Sequence, residues 1–261
     1  MKRASLASGI VVSGLLSGIA LLSGCGLIRP PANTFLITGN EYFKKGDYEA
    51  AEKQYREAVL SDSHSATALN NLGVILYVQG KYDEAAIVLQ KAMTAGPNNA
   101  TAHYVMSEVL AKKSQFEEAY KEALTATQMD PKETQAYCAL AEASLGRGDL
   151  ATGISAYRKA SQLDDTNDDT HHKLAMVLGL SGDFDGQIKE ERAALDIDNN
   201  NDDARIGLAS ALNKKGDRDG ALAELRRLLK EEPNNVEAKA FLDRIQNAPA
   251  AVKINSAAST K

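Results

Sequence analysis

Tryptophan is absent from the 261 residues, and cysteine (two), histidine (four) and proline (six) are scarce. No catalytic motif stands in their place. There is no His-Glu-x-x-His, no Gly-x-Ser-x-Gly, no Walker loop and no Gly-x-Gly-x-x-Gly, so an enzyme is not expected. The four histidines are His64, His103, His171 and His172. His103 and His171 stand too far apart in sequence to share a metal, and the adjacent pair points to different helix faces. Asp165-x-Asn167-x-Asp169 and Asp196-x-Asp198-x-Asn200 imitate the start of a calcium loop. Such a loop needs glycine at its sixth position and glutamate at its twelfth. Here those positions hold Thr170 and Met176, then Asn201 and Gly207, so the residues are expected to cap helix starts instead. No cofactor is expected. A basic excess is also missing: 30 Lys and Arg face 35 Asp and Glu, a net charge of −5. That balance, without a basic stripe, argues against nucleic acid.

What the chain does have is a repeat. Gly46-Asp47-Tyr48 returns as Gly80-Lys81-Tyr82, Ser114-Gln115-Phe116, Gly148-Asp149-Leu150, Gly182-Asp183-Phe184 and Gly216-Asp217-Arg218, every 34 residues and without an insertion. Two helix-length segments lie between successive turns. Leu69, Leu72, Leu76 and Tyr77 mark one face of a helix. Gly80 then stops it, and Tyr82, Ala85, Ala86, Leu89 and Ala92 mark a second helix that Pro97 ends. Gly73, Ala85 and Ala92 sit where two backbones must approach closely. The fourth and fifth copies depart from the pattern. Gly153 and Gln187 replace the alanine of the second helix, and Glu191 replaces an apolar residue. A glutamine at a close contact is expected to loosen residues 150–195.

This pattern resembles the tetratricopeptide repeat (TPR) family, a helix–turn–helix unit of 34 residues. Phe35, Gly39, Tyr42, Ala51, Tyr55 and Ala58 carry the likeness in the first copy, and Leu69, Leu72, Gly73, Leu76, Ala85, Leu89, Ala92 and Pro97 in the second. The third keeps Leu110, Ala119, Ala126 and Pro131, and the sixth Leu208, Ala209, Leu212, Ala221, Leu225 and Pro233. The resemblance implies an all-α fold, a right-handed α-solenoid of six helix pairs plus a C-terminal capping helix. The expected repeats are 32–65, 66–99, 100–133, 134–167, 168–201 and 202–235, with the cap at 236–247 and a disordered tail at 248–261. The solenoid domain is placed at 34–247.

Residues 1–24 read as a signal peptide. Met1-Lys2-Arg3 is positive, Leu6 to Leu22 is apolar, and Leu22-Ser23-Gly24-Cys25 follows. The last four resemble a bacterial lipobox, which implies lipid on Cys25, a linker over 25–33 and a membrane tether that does not span. Cys138 then stands alone, and no internal disulfide is expected. The absence of Asp after Cys25 resembles outer-membrane sorting, with the protein facing the periplasm.

TPR arrays bind protein or peptide segments along their first helices. The resemblance carries that groove onto Leu36, Asn40, Phe43, Asn70, Asn71, Val74, Tyr77, Val78, Tyr104 and Glu108. A later stretch, Cys138, Glu142, Leu145, His172, Met176, Leu180 and Ile206, is mixed in character. The carboxylate clamp of chaperone-binding TPRs is not expected. Asn40 and Asn71 match its asparagines, but Leu36, Thr101 and Val105 occupy its basic positions. The expected function is a membrane-anchored scaffold for protein partners in envelope assembly, resembling the pilotin-type lipoproteins of type IV or tight-adherence pili, with secretin or pilus components as partners. The alternative is an adaptor for periplasmic cell-wall enzymes or proteases.

Overall fold

The structure is a computed structural model and describes residues 30–247. The expected signal, Cys25 and the tail 248–261 lie outside the described residues. Of the expected linker, Pro30 to Asn33 are described, and Ala32 and Asn33 already belong to the first helix. The described secondary structure is entirely helical, an all-α repeat fold of thirteen helices.

The chain divides into two compact units, one ending at Asp165 and the other beginning at Thr166. The first contains α1 (Ala32–Lys44), α2 (Tyr48–Ser61), α3 (Ala66–Val78), α4 (Tyr82–Ala95), α5 (Ala100–Lys112), α6 (Phe116–Met129), α7 (Thr134–Gly146) and α8 (Leu150–Leu163). The second contains α9 (Asp168–Leu180), α10 (Phe184–Ile197), α11 (Asp202–Lys214), α12 (Arg218–Glu231) and α13 (Val236–Asn247).

Each Gly-Asp turn does two jobs. The glycine closes the first helix in the left-handed region, with φ of +76° at Gly46 and +75° at Gly80. Gly46 N–H donates to Phe43 O, and Asp47 N–H reaches back to Tyr42 O, each at 3.0 Å. The Asp47 side chain then accepts from Ala50 N–H at 3.1 Å and caps the second helix. Asp149, Asp183 and Asp217 repeat this cap. The starts of α3, α5, α9, α11 and α13 are capped by Ser65, Asn99, Asn167, Asn201 and Asn235, and that of α7 by Glu133. Asn167 and Asn201 thus serve as helix caps in the two acidic turns.

Ser114 alone among the six turn positions is not glycine, yet it adopts the same conformation, φ +59°. A side chain there costs about 1 kcal/mol. Ser114→Gly is therefore expected to raise the midpoint of thermal unfolding by about 2–4 °C. Gly80→Ala should lower it by a similar amount, since nothing crowds that position and only the backbone is strained. Thermal denaturation followed by circular dichroism checks both.

The small residues of the repeat allow close helix packing. A Cβ on Gly39 would stand 2.5 Å from the Tyr55 ring, and one on Gly73 would stand 2.5 Å from Leu89 Cδ2. Ala51, Ala85 and Ala119, one per second helix, are fully buried. In the second unit Leu208, Leu212, Leu225 and Leu228 join Ala238 and Ile245 of α13 in one cluster. Arg218 also donates to the Ile245 and Gln246 carbonyls at 2.6 and 2.9 Å, closing the free end of α13.

At Gln187 the facing helix carries a glycine that leaves room for the longer side chain. Gly179 stands where the first two copies have Phe43 and Tyr77, and a Cβ there would meet Gln187 Oε1 at 2.3 Å. Gln187 is buried and donates to Gly207 O at 3.4 Å. Gly207 in turn makes room for Glu191, whose carboxylate would touch any Cβ at that position.

Candidate protein-binding groove

In the first unit α1, α3, α5 and α7 pack side by side, each also held against its own second helix. Their fifth, ninth and twelfth residues recur on one side of each helix, since steps of three and four residues return to the same face. This places Leu36, Asn70, Tyr104 and Cys138 in one row. Asn40, Val74, Glu108 and Glu142 form the second, and Phe43, Tyr77, Ala111 and Leu145 the third.

The expected groove residues divide by what they touch. Leu36, Val74 and Val78 are half-buried and present apolar surface. Phe43 and Tyr77 end their helices against the first residue of the next. Phe43 packs on Tyr48 with ring centroids 5.6 Å apart, and Tyr77 on Tyr82 at 6.0 Å. Asn40 Oδ1 accepts from Tyr55 Oη at 2.8 Å and from Asn71 Nδ2 at 3.2 Å, which ties α1 to both α2 and α3. Asn70 and Asn99 exchange amide hydrogen bonds of 2.7 and 2.9 Å. Tyr104 is buried, only 6% exposed. The amides and Tyr104 therefore shape the surface, and Leu36, Val74, Val78, Phe43 and Tyr77 supply its contact area.

The charge of this surface has one sign. None of the three rows holds a lysine or arginine, and the middle row holds Glu108 and Glu142. Burial, and after it the charges of Glu108 and Glu142, push the Tyr77 hydroxyl well above its ordinary range. Tyr104 is raised by burial and then by Glu133 and Glu108. Burial also raises Glu133 itself. Tyrosine faces beside carboxylates suit a cationic side chain, held by charge and by the ring. Glu142 belongs to the same row as Asn40 and Val74. Although it stands in the stretch expected to be mixed, its charge acts on Tyr77, two first helices away.

His172, Met176, Leu180 and Ile206 belong to the second unit. Among these, His172 is taken up by the fold, because its Nδ1 meets Glu191 Oε2 at 2.8 Å. His103–Glu122 and His171–Glu190 repeat the pairing at 2.6 and 2.8 Å. No cluster among the described residues is placed to hold a metal, and no helix among them is long and apolar enough to cross a membrane.

Solved structures share this architecture. PilW, described as a widely conserved type IV pilus biogenesis factor, is 16% identical. The match covers 81% of this chain and 98% of that one, with a TM-score of 0.73. PilF of Pseudomonas aeruginosa is 20% identical over 82% of this chain and 97% of that one, with a TM-score of 0.70. YrrB, described as a TPR protein with an unusual peptide-binding site, is 18% identical over 72% and 97%, with a TM-score of 0.60. No curated protein matches in sequence. A tetratricopeptide repeat family model matches residues 38–100, and a second matches 76–143 and 191–245. The stretch they leave, 144–190, holds most of the two copies that depart from the pattern. Because these models together match more than half of the chain, the protein belongs to the tetratricopeptide repeat family, whose members bind protein or peptide partners.

Proposed function

We propose that the chain is a membrane-tethered protein-binding scaffold that serves the assembly of a type IV pilus or related secretion apparatus. In this reading residues 1–24 are removed, Cys25 carries lipid, and the first-unit groove takes up a partner segment bearing lysine or arginine. The binding role rests on one observation above the others: an aromatic and apolar face with only acidic charge, running across α1, α3, α5 and α7. The place in pilus assembly is supported by a fold shared nearly end to end with PilW and PilF. The tether is supported by Leu22-Ser23-Gly24-Cys25.

Crosslinking and pull-down from bacterial membranes tests this. The wild-type chain should recover a secretin or another pilus component. Val74→Lys, which removes apolar contact area and sets a positive charge against the cationic segment without removing a packed ring, should lose it. Cys25→Ala should leave the membrane fraction. Recovery of cell-wall enzymes alone would replace the pilus reading with the adaptor reading. Unchanged capture by Val74→Lys would move the site away from the first-unit groove.

A further inference from the structure

We infer that the second unit carries a separate docking surface, on α9, α11 and α13, for an acidic peptide segment of a protein partner. A cleft of about 380 Å³ lies between α11 and α13. Ile206 and Phe241 line it and pack on the core cluster beneath. Ser210 and Asn213 add a hydroxyl and an amide, and Lys214 and Arg244 add two positive charges. The Arg244 guanidinium lies 5.5 Å from the centroid of the Phe241 ring. Glu237 is the one carboxylate in the lining, on the first turn of α13, whereas Arg244 lies on its last.

Many cations of this unit are already engaged. Lys173 pairs with Asp169, Lys189 with Glu190, Arg205 with Glu224 and Lys215 with Asp185. Arg218 is spent on the α13 carbonyls. Lys214 and Arg244 form no ion pair among the described residues, and both face a cleft with room for a ligand.

The repeat register extends this surface onto α9. Met176, Ser210 and Arg244 occupy one repeat position, and Leu180 and Lys214 occupy another. On α9 these positions are apolar and open to solvent, Met176 at 51% and Leu180 at 75% exposure. The face thus runs from apolar on α9 to cationic on α11 and α13. A segment that fits it has apolar residues followed by carboxylates. Residues 248–261 do not match, since they contain Lys253 and Lys261 and no acidic side chain. The preference is opposite to that of the first-unit groove, so the two surfaces can be tested independently.

The test uses the full chain and a short fluorescent peptide with two leucines followed by four glutamates. Control peptides carry glutamine or lysine in place of glutamate. Fluorescence anisotropy should show saturable binding of the glutamate peptide, weakened by added salt. Lys214→Glu/Arg244→Glu should weaken binding by about tenfold or more, and Leu180→Ser should weaken it also. Val74→Glu in the first unit should leave it unchanged. Equal binding of the three peptides would overturn the inference. So would the absence of saturable binding, or an affinity that survives the double charge reversal. Loss of binding in Val74→Glu would assign the peptide to the first-unit groove and overturn it equally.

Discussion

Glu191→Ala is expected to destabilise the second unit by about 3–5 kcal/mol, the cost of breaking a buried ion pair from one side. Glu191 is fully buried, at a position where other copies have Tyr55, Leu89, Tyr157 and Leu225. Its Oε2 meets His172, and the space it occupies exists because residue 207 is glycine. Removing the carboxylate leaves both a hole and a largely buried imidazole without its hydrogen-bond partner. Glu191→Leu/His172→Leu should recover much of the loss, because apolar side chains of similar volume often replace a buried pair without cost. Urea denaturation of the single and double variants measures this. A single variant within about 1 kcal/mol of wild type would show that the pair holds little of the unit together.

The same pair sets a pH dependence. Burial pulls the His172 imidazole down, but the hydrogen bond and charge of Glu191 outweigh it, so His172 ends above its ordinary value. Burial raises Glu191 and outweighs the hydrogen bond from His172. Both groups hold a proton more tightly folded than unfolded, so both contributions are complete at low pH and fade as pH rises. The fading begins above the ordinary carboxylate value of 4.5 and continues past the ordinary histidine value of 6.5. Glu190 acts in the opposite sense. Burial raises it, but hydrogen bonds from Lys189 and His171 lower it further, so its contribution is lost as pH falls below 4.5. The second unit should therefore be most stable in mildly acid solution and less stable at pH 8. Glu191→Leu/His172→Leu should flatten the alkaline side of that profile.

Leu89→Ala is expected to cost about 2–5 kcal/mol in the first unit. Leu89 is fully buried and its methyl lies over Gly73 with no space between. Gly73→Ala should also destabilise, although alanine is the better helix former by about 1 kcal/mol, because its methyl would overlap Leu89 Cδ2. The two changes together should cost less than their sum, since the alanine at 73 fills part of the space that Leu89 vacates. Strict additivity would show that the helices simply move apart. Chemical denaturation of the four proteins in the cycle reads the coupling.

The fold was legible because each repeat states its own ends. Gly46-Asp47 names the turn, Asn99 and Asn201 name the helix starts, and Gly73 names the close contact. The capping helix was legible in part: of the apolar residues Val236, Ala240, Phe241 and Ile245, Phe241 and Ile245 pack on the core, whereas Val236 and Ala240 are exposed and Ala238 and Leu242 complete the buried face. The buried pairs of the second unit were not. A glutamate at position 191 looks like a break in the pattern until Gly207 and His172 are seen to face it. That pairing runs across a helix hairpin, 19 residues away in sequence. Gln187 with Gly179 is the same kind of exchange, a large residue on one helix matched by a small one on the other. The groove was legible in part. Family register placed Leu36, Phe43, Val74 and Tyr77 on one face, but register does not say which side chains are spent on neighbours. Asn70 is paired with Asn99, Asn40 bridges Tyr55 and Asn71, and Tyr104 is buried. Register joins Glu142 to Glu108, and spatial neighbourhood was needed to join it to Tyr77.

The central claim is that the first-helix face of the first unit binds a protein segment. Site-specific photocrosslinking in living cells tests it most directly, with the probe placed at Val74 on that face. Parallel probes belong at Leu60 on α2 and Ile87 on α4, exposed at 62% and 60% on second helices. A discrete crosslinked partner is expected from position 74 and none from positions 60 and 87. A partner captured from 60 or 87 and not from 74 would contradict it.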